Sequence, residues 1–368
     1  MRRLLKTLAV ILLLSLPTPV YAQEDMVVRQ LDLLDFEDIE RALGSLDGVP
    51  SFRDTVMSVI QGDIDLSPAG LSILAGEIFL AELSAFTSIM RNIIILAILS
   101  AILKNLTDSF KSADVGSLGF YVVFALLVAL VFQAFNIGVS AATSMISTIS
   151  NLMLASIPVL ITLLVFSGNI AAPLVISPTL AFYAHISTII INGIIVPLIL
   201  TGVAMSMVNT LSERDILKNF VKLISTACGW ALGLVAFSFG LILSLQKISS
   251  PIMSSLAGRT ARTAVGAVPI VGDILGGAAD IVGVWANAAR SGVLVAIVIM
   301  VAIVCFATII KLVALVFIFK LTAALISPIC DKRIVECINS VGDFAFLLLA
   351  CVATVVTMFI LSSVILLQ

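Results

Sequence analysis

Residues 115–212 read VGSLGFYVVFALLVALVFQAFNIGVSAATSMISTISNLMLASIPVLITLLVFSGNIAAPLVISPTLAFYAHISTIIINGIIVPLILTGVAMSMVNTLS, 98 residues without one Asp, Glu, Lys or Arg. This stretch decides the fold. As continuous helix it would run about 147 Å at about 1.5 Å per residue, enough for about four tilted crossings of a hydrocarbon core ~30 Å thick. Spans are expected near 118–139, 145–166 and 180–208. The stretch 167–178, with Pro173 and Pro178, is expected to be a polar connection or a short re-entrant piece.

The whole chain agrees with its centre. It has 368 residues, 61% hydrophobic and 11% charged, with a mean hydropathy of +1.23. A soluble domain carries about 25% charged residues, and a chain this size cannot cover a wetted surface with so few. A soluble enzyme, a nucleic-acid binder and a disordered chain are excluded. The reading is all-α: a polytopic transmembrane helical bundle.

Charge is distributed unevenly. Residues 1–22 hold Arg2, Arg3 and Lys6 and no acid, whereas residues 23–82 hold 13 acidic and three basic residues. The remainder carries 14 basic and nine acidic residues. Arg2, Arg3 and Lys6 precede the apolar run Leu8–Leu16, then Pro17 and Pro19, then Val20-Tyr21-Ala22. That order describes a secretory signal, with cleavage expected between Ala22 and Gln23. Read as an uncleaved first span, nine apolar residues are too few to cross a bilayer. Either way the chain from Gln23 is expected outside the cytoplasm.

Five segments follow: the signal (1–22), an acidic exported helical segment (23–82), a first span cluster (83–246), a Gly/Pro-broken region (247–290) and C-terminal spans (291–368). In the exported segment, Asp35–Leu43 patterns as a short amphipathic helix. Ser67-Pro68 is a cap with proline at the first helical position, opening a helix through Leu71, Leu74, Ile78 and Phe86. Charged amphipathic helices at the membrane surface are expected over Glu213–Lys222 and Cys330–Glu336. Pro251, Gly258, Gly266, Pro269, Gly272, Gly276 and Gly277 make residues 247–290 read as a re-entrant hairpin or membrane-lying loop. Near Lys311 either two spans turn, or one long helix ends near Lys320. The count is seven or eight spans. With Gln23 outside, eight put Lys104, Lys111, residues 247–290 and Lys332/Arg333 inside, and leave Arg214, Lys218 and Lys222 outside.

Chemical constellations are sparse. His185 is the single histidine, and its closest carboxylate in sequence, Glu213, is 28 residues away. A metal site needs several convergent ligands, so a packing or helix–helix hydrogen-bonding role is expected. H-E-x-x-H, G-x-S-x-G and G-x-x-x-x-G-K-[ST] are absent from the sequence. Gly272-Asp273 alone is faint support for an aspartyl protease. No catalytic, cofactor or metal site is expected. The five cysteines are expected to be small packing residues. Arg91, Lys311 and Lys320 are intramembrane charges, each costing about 2.5–3.5 kcal/mol at a helix centre. They either snorkel at span ends or pair with Asp273, Asp280 or an acidic partner. The small and hydroxylated run Ser140–Asn151 serves helix packing, or a weakly polar pore lining or subunit interface.

Ala155-Ser156-Ile157-Pro158-Val159-Leu160, Gly229-Trp230-Ala231-Leu232-Gly233, Val268-Pro269-Ile270-Val271-Gly272 and Ile326-Ser327-Pro328-Ile329-Cys330-Asp331-Lys332-Arg333-Ile334 occur here in a telling order. Together with the signal and acidic segment they resemble the stage III sporulation protein AE family of endospore-forming bacteria, over essentially the whole chain. Ser254–Arg259 departs from the pattern, lacking an acid before the glycine. The resemblance implies a non-enzymatic, multi-pass subunit in the mother-cell membrane facing the forespore. Its implied partners are the other products of the stage III sporulation A operon, including a secretion-type ATPase and ring-forming proteins, and a forespore membrane protein. The assembly it implies is a channel supporting late forespore gene expression. The alternative from the residues alone is a secondary transporter of a small solute. Candidate assembly residues are Arg91, Pro158, Trp230, Pro269, Gly272, Asp273, Lys311 and Lys320.

Overall fold

The computed structural model describes residues 68–110, 113–166, 182–183, 185–211, 217–265, 301–302 and 305–367. No strand occurs among them. The helices are α1 (Pro68–Phe110), α2 (Ala113–Phe166), α3 (His185–Thr210), α4 (Lys218–Val265), α5 (Cys305–Ile326) and α6 (Lys332–Leu367). Each contains a segment long and apolar enough to cross a bilayer. The signal-cleavage pair Ala22/Gln23 and the residues Pro269, Gly272 and Asp273 lie outside the described residues.

Several helices run through positions where breaks are expected. α1 starts at Pro68, as the Ser67-Pro68 cap predicts, but continues to Phe110, so no helix end separates the exported segment from the first span. α2 is one helix of 54 residues through Ser140–Ser144, replacing the expected pair of spans 118–139 and 145–166. The hydroxyls there do not compete with the helix. Thr143 Oγ1 donates to the Val139 carbonyl at 2.9 Å, a back-bond that satisfies it inside the turn. α4 continues past Gln246 and through Pro251 and Gly258 to Val265, so residues 247–265 are helix where a broken loop is expected.

At the C-terminal end the long-helix alternative is the one found: Lys311 lies inside α5, a single helix that runs past Lys320 to Ile326. The turn Ser327–Cys330 follows, closed by the Cys330 N–H on the Ile326 carbonyl at 2.9 Å. α6 absorbs both the expected surface helix and the last span. Ile334, Cys337, Ile338, Val341, Phe344, Ala345 and Leu348 are buried at three- and four-residue spacing, so one apolar face extends unbroken from the first turn.

α5 and α6 form the centre, each with 56% of its apolar segment buried, against 28% for the α1 and α4 segments. Phe124, Phe135, Phe239, Phe319 and Phe344 are the largest buried side chains. Two glycines let backbones approach. A Cβ at Gly202 of α3 would strike the Phe344 ring of α6 and the Ile224 side chain of α4, and one at Gly138 of α2 would strike Leu315 of α5. At one end, Tyr183 donates to the Val235 carbonyl at 2.6 Å, pinning the start of α3 to α4. Cys228, Cys305, Cys337 and Cys351 are buried among these helices.

Candidate functional site

Several charged groups of the described residues meet at one end. Leu217 N–H donates to Asn209 Oδ1 at 2.9 Å, closing the α3–α4 connection. Lys218, opening α4, lies 3.6 Å from Glu336 of α6, and Lys332 lies 3.9 Å from the same carboxylate. Asp331 caps α6, its Oδ1 accepting the Arg333 N–H at 3.1 Å. These pairs are exposed, so each contributes at most about 1 kcal/mol. Their value is geometric. They put the connection before Lys218 on the same side as Lys332 and Arg333, where the eight-span reading puts the two on opposite sides. The reason is the uninterrupted α5: without a turn at Lys311, one crossing fewer separates Lys222 from Lys332. In the turn beside this end, burial and then the negative charge of Asp331 push the Cys330 thiol pKa up.

Lys320 of α5 departs from the snorkelling expectation. Its Nζ lies 2.6 Å from Asp343 Oδ1, and it also donates to Asn339 Oδ1 at 2.8 Å and the Asn339 carbonyl at 3.1 Å. It reaches sideways to α6 rather than snorkelling toward the helix end; Asp273 and Asp280 lie outside the described residues. Asp343 and Asn339 are functional candidates that composition alone does not single out, since they sit at the polar edge of the last apolar run. The signal available was spacing: Glu336, Asn339 and Asp343 follow one another at three and four residues on one helix face.

The other candidates are scattered. Arg91 is the central residue of the apolar segment Phe79–Leu103 and is exposed, with no ion pair or hydrogen bond to another described residue. Ser84, Thr87, Ser88 and Asn92 are exposed on the same face of α1. Trp230 is 72% exposed on α4, beside Gly229 and Gly233, whose added Cβ atoms would meet nothing within 4 Å. Pro158 is exposed within α2. Lys311 is half-buried within α5. His185 of α3 is exposed, whereas packing within the bundle is expected for it. Among the described residues no three His, Cys, Asp or Glu side chains cluster closely enough to hold a metal.

The Ser140–Asn151 run is part buried and part exposed. Thr148 and Ser150 are buried, while Ser140, Ser144 and Asn151 point outward. Ser147 accepts a hydrogen bond from Asn192 Nδ2 at 3.2 Å, and the buried Asn192 Oδ1 has no partner among the described residues. Asn192 lies in a π-helical turn, Ile191–Ile195. Pro197 has no N–H for the Gly193 carbonyl, and the helix widens immediately before it, with the Val196 N–H bonding Ile191 O.

Six long apolar helices around a continuous apolar core define a multi-pass helical membrane protein. Its family follows from comparison: residues 50–368 match the family of the stage III sporulation protein AE, and the chain belongs to it. The Stage III sporulation protein AE of Bacillus subtilis (strain 168) is 28% identical over 315 residues, covering 85% of this chain and 78% of that one. No solved structure matches.

Proposed function

We propose that this chain is a non-enzymatic membrane subunit of the multi-protein complex joining mother cell and forespore after engulfment. It would sit in the mother-cell membrane facing the forespore. Its partners would be the other products of the stage III sporulation A operon, a secretion-type ATPase and ring-forming proteins among them, and a forespore membrane protein. The observation that carries this is family membership over residues 50–368. Two features support it: the acidic segment 23–82, suited to exported partners, and the outward Arg91 in an apolar helix, suited to an acidic partner. The hydrocarbon beside a mid-helix Arg91 offers no counter-charge.

Sidedness follows from the basic end. Ser147 late in the α2 apolar segment meets Asn192 early in α3, so the α2–α3 connection lies at the opposite end from Lys218 and Lys332. The α1–α2 connection then falls with the basic end, together with Lys104 and Lys111. That end carries Lys104, Lys111, Lys218, Lys222, Lys332 and Arg333, against Lys247, Arg259, Arg262 and Arg290 after the α4 apolar segment. We assign the basic end to the cytoplasm, which leaves the acidic N-terminal segment outside.

The experiment is complementation together with reconstitution. The chain should restore sporulation to an endospore former lacking its own family member, and the purified chain in liposomes should show no gradient-driven solute uptake. Robust uptake by this chain alone would instead establish the secondary transporter, a reading favoured by the π turn and half-satisfied Asn192 within an apolar helix.

A further inference from the structure

Glu336, Asn339, Ser340 and Asp343 form a continuous polar face on α6, beginning beside the exposed Lys332. Asn339 and Asp343 are exposed, and Glu336 and Ser340 are half-buried. Asp343 stands 11 residues beyond Lys332, about 16 Å along the helix at about 1.5 Å per residue. Its partner Lys320 stands six residues before Ile326, where α5 ends, about 9 Å along that helix, so the pair lies about two turns in from the basic end. A lysine there could snorkel, but Lys320 does not. Its stem lies across Gly342, where an added Cβ would come within 3.2 Å of Cε and 3.3 Å of Cδ. All three ammonium hydrogens have acceptors in Asp343 Oδ1, Asn339 Oδ1 and the Asn339 carbonyl.

Asp343 is different. One oxygen meets Lys320, the other receives no hydrogen bond from a described residue, and the side chain is 60% exposed. An aspartate is too short to reach headgroups from that depth, and hydrocarbon solvates a carboxylate oxygen very poorly. Formal charges along the face are already matched, Glu336 by Lys218 and Lys332, and Asp343 by Lys320. What remains unsatisfied is hydrogen-bonding capacity rather than formal charge, and water supplies it without adding a charge.

We propose that the Glu336–Asn339–Ser340–Asp343 face of α6 lines a water-filled inlet that opens at the basic end of the bundle and ends at the Lys320–Asp343 pair. The inlet belongs to this chain by itself and does not depend on the sporulation reading. Polar side chains at membrane depth persist where they are buried in protein or line a wet cavity; Asn339 and Asp343 are exposed rather than buried, which leaves the second condition for this face.

The test uses the full chain in liposomes of uncharged phosphatidylcholine, with Cys330→Ser as background because the four other cysteines are buried. Single substitutions Glu336→Cys, Asn339→Cys, Ser340→Cys and Asp343→Cys are exposed to a charged, membrane-impermeant methanethiosulfonate. Trp230→Cys is the control, because Trp230 is exposed and stands 12 residues from Lys218 at the same end. The expected result is loss of the free thiol at 339, 340 and 343 nearly as fast as at 336, with position 230 unmodified. Each position is read separately, so one variant that fails to fold leaves the others decisive. If 339, 340 and 343 resist the charged reagent but react with membrane-permeant N-ethylmaleimide, lipid covers the face and the proposal fails. If they resist both until detergent is added, a second copy covers it and the proposal equally fails.

Discussion

Lys218 at the start of α4 and Glu336 in the second turn of α6 lie 3.6 Å apart, although 118 positions separate them in sequence. The pair is weak energetically but strict topologically. Two helix starts that share a carboxylate lie at the same membrane surface, so everything between them crosses the bilayer an even number of times.

A topology map checks this directly. Reporters fused after residues 112, 215 and 330 should all report the cytoplasm, and one after residue 175 the exterior. Opposite readings at 215 and 330 would remove the Lys218–Glu336 pair and the orientation built on it.

The glycines separate fold from assembly. Gly202→Ala must displace the Phe344 ring and Gly138→Ala the Leu315 side chain, so each should lower the stability of the purified chain by about 1–3 kcal/mol, the usual cost of overpacking. Gly229→Ala and Gly233→Ala face open space and should leave stability unchanged or slightly higher, since alanine favours helix. Thermal unfolding in detergent reads both. A loss of sporulation without a loss of stability at 229 or 233 would mark that α4 face as an interface.

Replacing Arg91 with Leu removes a charge that touches no described partner. Membrane insertion should be intact or improved, and sporulation should fall, with Arg91→Lys restoring part of it. Sporulation at the wild-type level in Arg91→Leu would show that the guanidinium only snorkels.

Cys330 gives a pH-dependent readout outside the spans. Burial and Asp331 both favour the thiol over the thiolate, so its pKa is raised. At neutral pH its maleimide labelling should be slower than that of a free cysteine, and it should accelerate only at more alkaline pH. Asp331→Asn keeps a capping side chain while removing the negative charge, so it lowers the thiol pKa and should speed labelling at fixed pH. An unchanged rate would leave burial as the whole cause.

The lipid-embedded all-helical class, the start of α1 at Pro68 and the roles of four buried cysteines were legible from residue types, because hydropathy and capping are local properties. Span boundaries were legible only in part. Ser140–Ser144 and Pro251 look like interruptions in one dimension, but a helix whose hydroxyls bond back to its own carbonyls continues through the first, and α4 runs on through the second.

What the amino-acid order determined alone was the surrounding medium: so few charges over so many residues leave lipid as the solvent. Which charges meet was decided by tertiary structure. Lys320 finds Asp343, Lys218 finds Glu336 and Asn192 finds Ser147 only once α2 through α6 are packed, because each pairing joins different helices and no local periodicity encodes the distance between them.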